Sequence, residues 1–397
     1  MSFHPRPLMQ QLQARVEAAT RRDIFIIGEG WNFGEVADGA RFVQSSQLSL
    51  NGSGIGTFTD RARDFIRGGG PFDGGQSLIQ NQGFVNGLFY DDNGSGGGKT
   101  LADLLRAGDM VKVGLAGSIR DYRLVTATDE VRELQQIDYN GQPAGYVLDP
   151  QEVVNYMENH DNQTLFDNNV YKLPLSTSRE DRARVQLLAA ALTAFSQGVA
   201  YFHAGVDTLR SKSMDRNSFN SGDWFNRLDW SYTDNNFGVG VPLQGDNGDN
   251  WPLIKPLLAN AAIKPRPEDI RWTRDAFRDL LEIRASSPLF HLPTGEAIKQ
   301  RLVFYNTGSL QEPTVIAGHI DGKGLRHAED DLMYFVNVDK VAHVLTISAE
   351  KNKRYRLHPV HQRFDAADRR PATSARYDRT TGAFTVPPRT AVVFIAD

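Results

Sequence analysis

The order of apolar and polar positions gives the chain two textures. In the first, four short and nearly continuous apolar runs each end in glycine or polar residues: Ile24–Trp31 (IFIIGEGW), Val111–Ser118 (VKVGLAGS), Val153–Asp161 (VVNYMENHD) and Val199–Gly205 (VAYFHAG). Unbroken apolarity over this length predicts strands covered on both faces, as in a parallel sheet. Helical spacing lies between them. Leu8, Leu12 and Val16 recur on one face of Pro7–Arg21. Ser178–Ser196 opens with a capping serine and two acids, continues in helix formers, and is stopped by Gly198. A further helix is predicted over Arg274–Arg284.

From about Ile298 the texture changes. RLVFYNT, VIAGHID, LMYFVNVD, HVLTISA, YRLHP and AVVFIA are short alternating runs between turn residues, the pattern of an antiparallel sandwich. The predicted division is an α/β part over 1–296 and an all-β sandwich over 297–397, the second able to fold alone. Strand–helix–strand order, with a carboxylate-bearing motif after two of the strand ends, predicts a β/α barrel whose site lies at the C-terminal ends of its strands. The long inserts Asn51–Gly98 and Ser211–Asn250, rich in Gly, Asn and Asp, read as site loops.

Composition narrows the chemistry. A net charge of -4 over 397 residues, well mixed in sign, argues against nucleic acid or an anionic membrane as partner. The absence of cysteine removes thiolate chemistry. The longest apolar run, Leu187–Phe195, is far short of a membrane span. The N-terminal segment has no apolar core of the kind a signal peptide needs, which leaves the compartment open. NGSGGGKT imitates a phosphate-binding loop, but Asn93 stands where the first glycine should be, so it reads as a solvent loop. No spacing suggests a transition-metal site. The Asp-rich DDNG and QGDNGDNW could hold calcium, and no cofactor is otherwise required.

Two strand ends carry the candidate chemistry. Glu29 is flanked by Gly28 and Gly30, so backbone or ligand can come close, and Trp31 offers a flat apolar face to a sugar ring. A carboxyl in such surroundings suits a general acid; the alternative is a Glu that caps a helix or pairs with an arginine. In NHDNQT, His160 and Asp161 can converge on one pocket only where the chain turns at a strand end; the alternative is an Asp–Asn turn with a surface histidine. Arg210–Trp230, dense in Arg, Asp, Asn and aromatics, suits the lining of an oligosaccharide groove or a self-satisfied polar loop.

FIIGEGWNFGEV, GIGTFTDRARDFIRGGGPFD, VVNYMENHDNQTLFD and FHAGVDTLRSKSMDRNSFNSGDWFNRLDW, in this order, resemble the signatures of the type I pullulanases, debranching enzymes of the α-amylase superfamily. The resemblance implies hydrolysis of α-1,6-glucosidic bonds in branched α-glucans by a retaining mechanism, with two carboxyl groups about 5–5.5 Å apart. It implies that Glu29 is the general acid/base and that Asp161 is a third acid that binds sugar hydroxyls. His160 would be its companion, and Trp31, Asn162, Asp215, Arg216 and Asn220 would be groove residues. The family has a (β/α)8 TIM barrel, of which four strands are predicted here, its C-terminal half. Its nucleophilic aspartate would stand two residues before the position matched by Met1, and no equivalent lies downstream. The resemblance therefore implies a chain cut after the nucleophile and inactive alone, with a non-catalytic glucan-binding protein and one chain of a split enzyme as alternatives. A complementary N-terminal half would then be a partner.

Overall fold

The computed structural model describes residues 2–397 and is a mixed α/β structure. Strands β1 (Ile27–Gly28), β2 (Gly56–Phe58), β3 (Val153–Asn155) and β4 (Val199–Ala200) form one parallel sheet in that order. Three of the predicted runs lie in it. The other, Val111–Ser118, does not: most of it is the end of helix α3 (Leu101–Leu115). Every residue from Ala107 to Leu115 is buried, and a helix enclosed on all sides shows no polar face to betray its period. Its start was marked, since Thr100 and Asp103 form a reciprocal capping box. The missed strand is β2, three residues long and set between Gly54 and Thr59.

The other predicted helices form close to their expected limits. Helix α1 runs Arg6–Thr20. Helix α5 runs Arg179–Ala194, and the Ser178 hydroxyl accepts from the Asp181 amide at 3.1 Å. Helix α6 runs Pro267–Ser286, longer than predicted because Pro267 is well placed in its first turn. No helix among the described residues is long and apolar enough to cross a membrane.

β1 departs from expectation. It is an edge strand, and one side of its run is open to solvent: Phe25 is 66% and Ile27 40% exposed, while Ile26 packs against Met9, Leu50 and Ile55. Phe3, Leu8 and Leu12 nearby are also exposed. β4 is the other free edge, so no closed barrel forms among the described residues.

The C-terminal strands make two antiparallel sheets. Five strands, β5 (Leu302–Tyr305), β6 (Val315–Asp321), β7 (Asp331–Asn337), β9 (Arg356–Leu357) and β12 (Thr390–Ala396), take the order β9-β12-β7-β6-β5. Three others, β8 (His343–Thr346), β10 (Arg376–Asp378) and β11 (Ala383–Val386), take the order β8-β11-β10. Val315, Met333, Phe335 and Phe394 pack toward Phe384 and Val386 of the smaller sheet. The alternate residues Ile316, Leu332, Tyr334 and Val393 join the main core with α3 and α5. The larger sheet is therefore covered on both faces, and every residue of β7 is buried instead of alternating.

A charged network closes one margin of this sandwich. Lys353 Nζ lies 2.8 Å from Asp331 and 2.7 Å from Glu350, His319 Nε2 lies 2.7 Å from Asp331, and the hydroxyls of Tyr305 and Tyr355 each donate to Glu350 at 2.6 Å. Burial pushes the Asp331 carboxyl up, but the hydrogen bonds from His319 and Lys353 outweigh it and hold the group at about 2. Lys353→Met would remove the ammonium that the two buried carboxylates share. Because Lys353 is itself partly exposed, a loss of about 3 kcal/mol, the low end for a broken buried pair, is expected in urea unfolding. A change under about 0.5 kcal/mol would show the network to be energetically idle.

Candidate active site

The polar motifs sit where the sheet delivers them, past the C-terminal ends of β1, β2 and β3. Glu29 directly follows β1 and is half-buried. The chain turns sharply after it. Gly30 has φ +68°, and a Cβ there would lie 2.6 Å from Thr57 Cγ2 on the next strand. Only glycine lets the backbone pass this close to β2. The Gly30 carbonyl accepts from the Gln47 amide at 2.8 Å, and the Trp31 carbonyl from Gln44 Nε2 at 3.0 Å, which fixes the direction of the turn. The Trp31 ring packs on a cluster of Phe58, Val154 and Tyr156.

The second motif follows β3. His160 and Asp161 are 71% and 61% exposed, with His160 Nε2 3.5 Å from Asp161 Oδ1. Glu29, His160 and Asp161 each bring one ligating atom to a common point, all within 4.8 Å of one another. The turn predicted to let His160 and Asp161 converge is completed by Asn162, whose φ is +59°. Asn162 Nδ2 and Arg216 Nη2 both donate to the Pro71 carbonyl, at 2.9 and 3.1 Å. That shared anchor sets the following Phe72, 90% exposed, at the lip of the cleft.

The cleft holds about 1210 Å³, more than a single small ligand fills, and is lined by Glu29, Trp31, Asp161, Asn162 and Arg216. Two of the sequence-predicted groove residues are placed elsewhere. Asp215 is fully buried and accepts from the Asn217 amide at 2.9 Å, Asn247 Nδ2 at 3.0 Å and Ser221 Oγ at 2.6 Å, so it holds the loop together. Asn220 is exposed at the end of the turn Ser218–Asn220, away from the cleft lining. The Asp-rich DDNG segment is also engaged: Asp91 binds Lys340 at 2.7 Å and Arg389 at 2.8 Å.

The cleft floor contains residues that sequence reasoning did not single out. Asp60, Arg63 and Arg67 lie at the start and end of helix α2 (Arg61–Arg67), directly after β2. Arg63 binds Asp64 at 2.7 Å and also the Tyr156 hydroxyl. Burial pushes the Asp64 carboxyl up and lowers Arg67 to about 10. The available signal was TFTDRAR, an acid and two arginines straight after a short apolar stretch. The stretch belongs to one of the four family-like signatures, but without β2 its acid and arginines have no strand end to be assigned to.

Sheet order, strand-end carboxylates and aromatic wall together make an open cleft at the C-terminal ends of the parallel strands. Residues 232–397 match the family described as alpha-1,6-glucosidases, pullulanase-type, C-terminal. The chain corresponds to a C-terminal portion of a pullulanase. It is 43% identical over 384 residues to pullulanase 1 of Arabidopsis thaliana, a chloroplastic protein, covering 94% of this chain and 39% of that one. It is 40% identical over 323 residues to a Klebsiella aerogenes pullulanase, covering 81% of this chain and 29% of that one. The crystal structure of a Klebsiella pneumoniae pullulanase in complex with maltotriose superposes with a TM-score of 0.92 at 35% identity, over 100% of this chain and 42% of that one. The chain thus spans about two fifths or less of the length of these relatives.

Proposed function

We propose that this chain supplies the proton donor and the hydroxyl-binding carboxylate for hydrolysis of α-1,6-glucosidic bonds in branched α-glucans. The observation that carries the reading is the meeting of Glu29, His160 and Asp161 within 4.8 Å beside Trp31, from two strand ends of one parallel sheet. Glu29 gives its proton to the glycosidic oxygen as the bond to the anomeric carbon breaks. A second carboxylate bonds to that carbon. Glu29, now ionised, takes a proton from the water that displaces it, and the anomeric configuration is retained. Asp161 and His160 hold hydroxyls of the sugar at the scissile bond, and Trp31 receives its apolar face. This route needs no cofactor.

In this reading the nucleophile comes from a segment outside the 397 residues, and the four-stranded sheet is half of a (β/α)8 barrel. The free edge of β1 and the exposed Phe25, Ile27, Leu8 and Leu12 support a covering segment that brings its own parallel strands. The test is pullulan hydrolysis by the chain alone and after mixing with the N-terminal remainder of a related pullulanase. No turnover alone, and turnover on mixing, is expected. Hydrolysis by the chain alone would refute the missing nucleophile. Glucan binding with no turnover in either case would favour a binding protein.

A further inference from the structure

We propose that Arg67 and Lys212 are positioning residues, two buried cations that clamp the loop 158–163 from beneath and thereby hold Asp161 against Glu29. The inference rests on the reading of Asp161 as a hydroxyl-binding carboxylate.

The loop has a mechanical problem. Its two functional side chains are mostly exposed, and no backbone–backbone hydrogen bond ties residues 158–163 to anything among the described residues. Nothing on the solvent side fixes Asp161, yet a displacement of about 1 Å at such a site lowers its effectiveness by about a hundredfold. Side-chain bonds from Asn162 to the Pro71 carbonyl at 2.9 Å and from the Tyr201 hydroxyl to Asn159 at 3.2 Å steady the loop's flanks, and the backbone itself is held from below at three points. The Arg67 guanidinium, at the end of α2, donates from Nη1 to the Met157 carbonyl at 3.0 Å and from Nη2 to the Gln163 carbonyl at 3.0 Å. One planar group thus pins both ends of the loop. Lys212 Nζ donates to the His160 carbonyl at 3.0 Å and pins its middle. Glu158 accepts from the Leu165 amide at 2.6 Å and faces His203 Nδ1 at 2.9 Å, closing the base.

The clamp is itself anchored. The Lys212 amide donates to Asp167 at 2.7 Å and Ser211 Oγ to the same carboxylate at 2.5 Å; Asp167 belongs to helix α4 (Leu165–Lys172), which begins where the loop ends. Lys212 is 1% and Arg67 8% exposed, and burial lowers the basicity of both. Burying two cations to satisfy three carbonyls is an expensive arrangement if the carbonyls only needed donors. Only a guanidinium fork reaches two carbonyls in one plane, which a lysine at the same position cannot do.

The experiment uses the full chain with maltotriose as probe. Arg67→Lys and Lys212→Met are each made in the wild-type and in the Asp161→Asn background. Affinity is read by calorimetry, and exchange of the Leu165 amide, whose bond to Glu158 closes the loop at 2.6 Å, by mass spectrometry. Each single substitution is expected to speed this exchange and to weaken binding about ten- to a hundredfold. In the Asp161→Asn background the same substitutions should weaken binding no further, since they act through that side chain. Equal losses in both backgrounds, or unchanged exchange, would overturn the clamp. If the wild-type chain does not bind maltotriose, the reading of Asp161 falls; the clamp then stands on faster exchange and falls on unchanged exchange.

Discussion

Glu29→Gln is expected to lower pullulan turnover by about 10²–10⁴-fold in the assembly of this chain with its complementing segment, with little change in stability. The amide keeps the size and hydrogen-bonding reach of the carboxyl but has no proton to give. The departing group in pullulan is a sugar alkoxide, which leaves poorly unless protonated. A glucoside with an activated phenol as leaving group needs no such help, so its cleavage should suffer far less in the same variant. That contrast is the informative measurement. If both substrates lose equally, Glu29 is not the proton donor, and its place beside Asp161 has another purpose. If neither loses, the reading of the strand end is wrong altogether.

Acid is expected to loosen the junction between α6 and the five-stranded sheet, through His358 and His361. Both imidazoles are buried and neutral in the fold. Burial lowers His361 to about 3, helped by the neighbouring His358, and lowers His358 to about 4. Their hydrogen bonds agree with that state. His361 Nε2 accepts from the Val393 amide at 3.2 Å, and His358 Nδ1 from the Val360 amide at 3.3 Å. His358 Nε2 lies 3.0 Å from Ser286 Oγ, which donates to the Ile283 carbonyl at 2.7 Å. Glu329 opposes the shift at His358 and Asp368 opposes it at His361, while Arg356 adds to it at His358. Between the ordinary histidine value and these lowered ones, the unfolded chain binds more protons than the folded chain. Stability therefore falls as pH drops from about 6.5, by about 3 kcal/mol for each histidine at pH 4. Urea unfolding between pH 7 and pH 4 should show this slope, and His361→Gln, whose amide oxygen can still accept from Val393, should flatten it. An unchanged slope in that variant would place the acid sensitivity elsewhere.

Much of this was written in the sequence, but unevenly. Helix α5 was legible because its cap, first-turn acids and stop signal agree. The pairing of Glu29 with Asp161 was legible because each stands immediately after an apolar run, and strand ends are where a parallel sheet collects its polar groups. Helix α3 was not legible, because burial on every side erased its period. Strand β2 was too short to register, and with it went Asp60, Arg63 and Arg67. Asp215 was misplaced for a different reason. A loop rich in polar groups offers many residues that look ready for a sugar, and composition cannot tell which of them are spent on holding the loop. The exposed Phe25 and Ile27 were read as buried because an apolar run reports what a strand is built to touch, whether or not that surface is present.

The larger antiparallel sheet has a consequence for how the molecule can be divided. A sandwich with one wet face can be excised and carried to another protein as a cassette. Here the second face of that sheet is lined by Ile316, Leu332, Tyr334, Val336 and Val393, which share one core with α3 and α5. Residues 297–397 cut away as a recombinant piece would present this wall to water and aggregate. The sheet and the helices behind it can change only together, so substitutions on one side should be compensated on the other.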